Sequence, residues 1–162
     1  MQIGHWDFPS ELFIRLGFAL LVGLVLGLNR WLHHKSAGIR THSLVSLGSA
    51  VAMLSIASSH GSDAQAASRV MQGLITGIGF LGAGVIVRGG HSQTVHGLTT
   101  AASIWACALL GAAFGVGQYA IGISSLAVIF LVLLFGGGIE RVTGAVMGID
   151  RESEVPEDQA NS

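Results

Sequence analysis

Charge is what this sequence has least of. Only 10% of its 162 residues are Asp, Glu, Lys or Arg, against about 25% in an ordinary soluble domain. A soluble protein of this length needs a polar surface, and this chain cannot build one. Lipid is the solvent that tolerates such a composition. The few charges nearly cancel, leaving a formal net charge of −1, which argues against the basic footprint of a nucleic-acid binder. Cysteine is down to a single residue, Cys107, so an internal disulfide is excluded. Between Ala64 and Ile139 there is no Asp or Glu at all. A magnesium or calcium cage draws on several carboxylate or carbonyl oxygens, and a proton relay on buried Asp, Glu or His. Neither is predicted at mid-membrane. A basic leader is missing too: the first apolar run follows Asp7, Pro9 and Glu11, and it reads as a retained helix, not a removable signal.

What is present is apolar sequence in long runs, at 12–28, 41–58, 70–87, 97–116 and 119–139. Each is near the length of about 17–25 residues that spans roughly 30 Å of hydrocarbon. Arg15 interrupts the first run near its start, where a long side chain can snorkel. Runs of this kind satisfy their backbone groups in lipid only as helices. The prediction is an all-α polytopic transmembrane bundle of about five spans. Residues 1–11 form a short external N-terminus, and 140–162 an acidic cytoplasmic tail, mostly disordered. The serine-rich second run and the glycine-rich third run are the weakest spans, and the third could be broken or re-entrant. Arg30, Lys35, Arg40, Arg88, Arg141 and Arg151 fall on one side, and Arg15 and Arg69 on the other. Six against two places the C-terminus in the cytoplasm and the N-terminus outside.

Glycine fills part of the space that charge leaves, at 24 residues. The first run holds Gly23-x-x-x-Gly27, and the third holds Gly73-x-x-x-Gly77 followed by Gly79, Gly82 and Gly84. Four-residue spacing puts small residues on one helix face, where another helix can approach closely. The neighbour is a helix of this chain, a membrane-protein partner, or another copy in a homo-oligomer. A second reading makes the third run pliable, with irregular backbone lining a site. Residues 77–82 also fit G-x-G-x-x-G, but that fingerprint needs a preceding strand and a following amphipathic helix, and the flanks here are apolar.

Polar residues gather near one edge. Asn29, Arg30, Arg40, Thr41, His42 and Arg88 are expected at a cytoplasmic mouth. The bland reading is positive-inside anchoring; the sharper one is a basic mouth for an anionic lipid headgroup or an acidic partner. Gln72, Thr76, Thr99 and Thr100 are intramembrane polar residues, read as hydrogen-bond donors between helices ahead of ligands. His33, His34, His91 and His96 match no standard metal spacing and are expected as solvated loop residues. No metal, cofactor or catalytic residue is predicted.

Three segments carry a family resemblance. Residues 37–42, Ala-Gly-Ile-Arg-Thr-His, are similar to an AGLRTH segment; residues 77–86 read GIGFLGAGVI; residues 97–105 resemble GLTTAA-x-x-W. In order and spacing they resemble the MgtC/SapB family of bacterial inner-membrane proteins, from about Gly17 to Leu134. The resemblance implies about five spans, growth under low magnesium, intracellular survival, and restraint of the F-type ATP synthase. Magnesium transport by the domain itself is not part of what it implies. Two departures stand out. Asn29 occupies a position where the family usually has an acid before Arg30, so an acid-dependent role is in doubt. Many members also carry a soluble C-terminal regulatory domain, and sensing by such a domain is not expected of this chain. Three readings stay open: a non-enzymatic regulator working through helix contacts, a small transporter or channel for magnesium or another ion, and a lipid-binding membrane scaffold.

Overall fold

The computed structural model describes residues 9–60, 64–88 and 95–147. It contains five helices: α1 Pro9–Leu32, α2 Ile39–His60, α3 Ala64–Val85, α4 Leu98–Gly115 and α5 Tyr119–Met147. A short antiparallel pair, β1 Val87–Arg88 and β2 Val95–His96, sits between α3 and α4, with Val87 opposite His96. The fold is an all-α helical bundle. Among the described residues, four helices are long and apolar enough to cross a bilayer: Ser10–Leu32, Ile39–Ile56, Leu98–Gly115 and Tyr119–Met147. The glycine-rich third run is one uninterrupted helix of 22 residues, about 33 Å long at the usual rise. It does not join the four, because glycine adds length without apolar surface and its first half carries Gln65, Ser68, Arg69 and Gln72.

The chain divides into two units, Met1–Ala127 and Val128–Ser162. In the second, the later part of α5 runs to Met147, so the helix continues through residues 140–147, the first part of the expected tail. Residues 148–162 lie outside the described residues, as do 1–8 of the expected external segment. Val128, Val132, Phe135, Ile139 and Val142 are exposed apolar side chains along this helix.

In the first unit α2 and α4 are the central pair: each packs against the other and against α1 and α3. Pro9 opens α1 and Glu11 lies in its first turn, a pairing that suits the orphan N–H groups and positive end of a helix. At its other end His34 takes a left-handed conformation with φ 53°. His34 N donates to Trp31 O (3.0 Å) and Lys35 N to Arg30 O (3.1 Å), the paired bonds of a Schellman cap in which glycine is usual.

Glycine sets the helix spacing. A Cβ on Gly23 would overlap Ser43 Cα, and one on Gly27 would lie 2.5 Å from Ile39 Cα. The α1 row is thus filled by the backbone of α2. On the other flank of α2, a Cβ on Gly111 would overlap Ser46 O, and one on Gly115 would lie 2.7 Å from Ala50 O. A second glycine pair, at the same spacing on α4, grips α2 from that side. The sequence reading took residues 97–116 as an apolar run and passed over this pair.

On α3 only Ile78 and Gly82 are buried. Ile78 joins Ala37, Ile104 and Ala108 in a small apolar cluster, and Gly82 lies over the Ala101 methyl, 3.6 Å from where its own Cβ would be. Gly82 therefore belongs to internal packing. Among the described residues, nothing lies within 4 Å of a Cβ built on Gly73, Gly77, Gly79 or Gly84.

Candidate functional site: a buried polar cluster

The interface of α1, α2 and α4 is polar at one end. Asn29 and Arg30 are each only 5% exposed, and His42, Thr100 and Ser103 are buried with them. Helix packing explains the burial. Gly27 brings the start of α2 against the end of α1, so the residues around it lose access to solvent. Arg30 Nη2 donates to Thr100 Oγ1 across to α4 (2.9 Å). Ser103 Oγ lies 2.8 Å from Thr100 O, to which it donates, and 3.1 Å from His42 Nε2. His42 Nδ1 lies 3.0 Å from Gly38 O, and Cys107 Sγ donates to His42 O (3.2 Å). A continuous chain of polar contacts thus runs from α1 through α4 into α2.

Several buried atoms in this region have no hydrogen-bond partner: Asn29 Oδ1, Arg30 Nε, Ser43 Oγ and Ser49 Oγ. Among the described residues no carboxylate pairs with Arg30. The described ion pair is at the other end of α1, where Arg15 meets Glu11. Arg15 Nη1 also donates to Gly115 O (3.0 Å), placing a cation on the negative end of α4. The next turn is tight: Gly117 takes φ 80° with the Arg15 guanidinium against it.

The residues predicted for one basic mouth separate. Asn29 and Arg30 are inside, while Arg40 and Thr41 are exposed on the first turn of α2. The side chain of Arg88 lies outside the described residues. His42, grouped with Arg40 and Thr41 by sequence, turns inward and is fully buried. The intramembrane polar set divides as well. Thr100 joins the cluster, but as the acceptor of Arg30. Thr99 is exposed. Gln72 and Thr76 are exposed and bond within α3, Thr76 Oγ1 to Gln72 O (2.9 Å) and Gln72 Nε2 to Ser68 Oγ (3.4 Å), so they do not bridge helices as expected. Ser103 and Cys107 were not anticipated as cluster members. The available signal was their helical spacing, three and seven residues beyond Thr100, which puts all three on one face. Among the described residues no group of His, Cys, Asp or Glu could hold a metal ion; His91 is outside them. His33 bonds its own helix through Nδ1 and Asn29 O (2.7 Å).

Helices fit to span a bilayer, packed on glycine and closed around a polar cluster, define a multi-pass α-helical membrane protein. Comparison with known proteins narrows the class. The MgtC family model matches residues 16–142, and the chain belongs to that family of bacterial inner-membrane proteins. It is 42% identical over 150 residues to Protein SrpB of Synechococcus elongatus, covering 86% of this chain and 79% of that one. It is 39% identical over 133 residues to the protein named "Putative magnesium transporter YhiD" in Escherichia coli K12, covering 76% of this chain and 60% of that one. It is 42% identical over 101 residues to Protein MgtC of Salmonella typhimurium, covering 62% and 42% respectively. The chain thus spans under two thirds of YhiD and under half of MgtC. No solved structure matches it.

Proposed function

We propose that this chain is a non-enzymatic regulator in magnesium homeostasis or stress adaptation, and that it works by helix contact between α3 and another membrane protein. The carrying observation is the outer face of α3. Gly73, Gly77 and Gly84 fall on one stripe by helical spacing, and none has an atom within 4 Å of a Cβ. Phe80 stands on the same stripe at 82% exposure. The face lies opposite Ile78 and Gly82, which pack inward, so it is available while α3 stays anchored. An aromatic knob among glycines offers a partner helix both close backbone approach and a shape to fit. The family resemblance suggests an energy-coupling or transport complex, such as the F-type ATP synthase, as that partner; a second copy of the chain competes for the same face. The orientation adopted is C-terminus in the cytoplasm, from the distribution of Arg and Lys.

Capture of the full-length protein in mild detergent tests this. Gly73→Leu and Gly77→Leu are expected to insert normally and to lose the co-purifying membrane protein and the support of growth at low magnesium. Wild-type recovery of the partner by both variants would remove the basis of the proposal.

The name given to YhiD favours a second reading, magnesium transport. The buried cluster opposes it as a cation path. A doubly charged ion about 5 Å from a guanidinium is repelled by roughly 7 kcal/mol at an effective dielectric near 20, and no carboxylate of the described residues offsets Arg30. Saturable magnesium flux into proteoliposomes, abolished by Thr100→Val, would reverse this preference.

A further inference from the structure

We propose that the end of α1 and the first turn of α4 form a binding site for a phosphate-type oxyanion. Arg30 is 5% exposed, its Nε has no partner, and its Nη2 reaches Thr100 Oγ1. The guanidinium therefore lies against the beginning of α4. That helix end is itself electropositive. Its N-cap is Gly97, with no side-chain cap, and the first intrahelical bond is Ala101 N to Gly97 O. The N–H groups of Leu98, Thr99 and Thr100 precede that bond and are left without intrahelical acceptors. A helix start carries about half a positive charge, so a buried cation faces another positive centre.

Two like charges brought together away from water need a counter-ion. The sequence holds no Asp or Glu from Ala64 to Ile139, and the one described carboxylate side chain, Glu11, pairs with Arg15 at the far end of α1. No carboxylate of the described residues fills this place, and the counter-ion assigned here is a ligand. Its chemistry follows from the donors: a guanidinium fork with a free Nε–H beside backbone N–H groups of a helix start matches several oxygens on one centre. Inorganic phosphate and the phosphodiester of an anionic lipid both present that group. Gly97, at φ 92° and packed on Val85 O, holds the turn that exposes these amides.

The test follows the thermal midpoint of the full-length protein, which a ligand of the folded state raises. One arm titrates inorganic phosphate into protein in a neutral detergent. The other compares phosphatidylcholine nanodiscs with and without phosphatidylglycerol. A rise in the first arm identifies the free ion as the source, and a rise in the second the headgroup. Arg30→Gln is expected to weaken the apparent affinity by about tenfold or more, the loss of a charge-assisted hydrogen bond. Arg40→Gln, on the exposed turn of α2, stays within about twofold, as a screened surface charge should. Asn29→Asp supplies an internal carboxylate in the same buried turn and is expected to make the midpoint independent of both anions, a readout that stands even where Arg30→Gln does not fold. No rise in either arm with the wild type, or an equal rise with Asn29→Asp, overturns the proposal.

Discussion

Helices α1 and α3 carry the same glycine spacing and use it in opposite ways. Gly23 and Gly27 are pressed against the backbone of α2, whereas Gly73 and Gly77 face open space. The difference arises from what each helix must hold. The α1 row admits α2 so closely that Asn29, Arg30 and His42 are sealed together, and the polar cluster exists because that row is filled. Among the described residues the α3 row meets no neighbour, and the opposite face, with Ile78, Gly82 and Val85, ties α3 to the bundle. A small-residue pattern thus marks where a helix can be approached, and tertiary structure decides whether the approach is made from inside.

The comparison can be broken most sharply at α1. Gly23→Ala and Gly27→Ala drive a methyl into backbone that cannot yield, and each is expected to cost about 3 kcal/mol or more, seen as a lower Tm and loss of monodisperse protein. If either variant melts like the wild type, the helices are not in backbone contact. Next in size is Ser103→Ala. It removes the group joining His42 to Thr100 and is expected to cost about 1–3 kcal/mol, because His42 Nε2 is left buried without a partner; the drop in thermal midpoint measures it. At Gly82 a methyl meets Ala101 at ordinary contact distance, so Gly82→Ala should change stability by no more than about 0.5 kcal/mol. Opposite in sign to α1 is Gly77→Ala in the isolated protein. With no neighbour to strike, it should gain up to about 0.5–1 kcal/mol from helix propensity. A Tm lowered by Gly77→Ala would mean that the α3 face is already occupied.

Much of the architecture was legible because hydrocarbon imposes a simple rule: long apolar runs become helices. The limits appear where two adjacent residues meet different fates. Thr99 and Thr100 are chemically identical and separated by about 100° around α4, so one is exposed and the other accepts from Arg30. Arg30 and Arg40 were read alike, yet the first ends a helix beside a glycine contact and the second starts one in the open. The start of α3 at Ala64 was hidden because Gln65, Ser68 and Arg69 resemble a loop by composition, while helix geometry continues through them. Gly111 and Gly115 had the same readable spacing as Gly23 and Gly27, but nothing in a single chain says which glycine pair a serine-rich helix will meet.

The hydroxyl of Ser103 owns one hydrogen and has two claimants, Thr100 O and His42 Nε2. With Nδ1–H committed to Gly38 O, a neutral imidazole needs that hydrogen at Nε2, and the Thr100 carbonyl keeps only its helical N–H partner. If the hydrogen stays on Thr100, the ring must donate from both nitrogens and carry a positive charge. A single rotating O–H bond therefore records the ionisation of a ring hidden from water. Ring nitrogen chemical shifts would read that record directly, with no helix having to move.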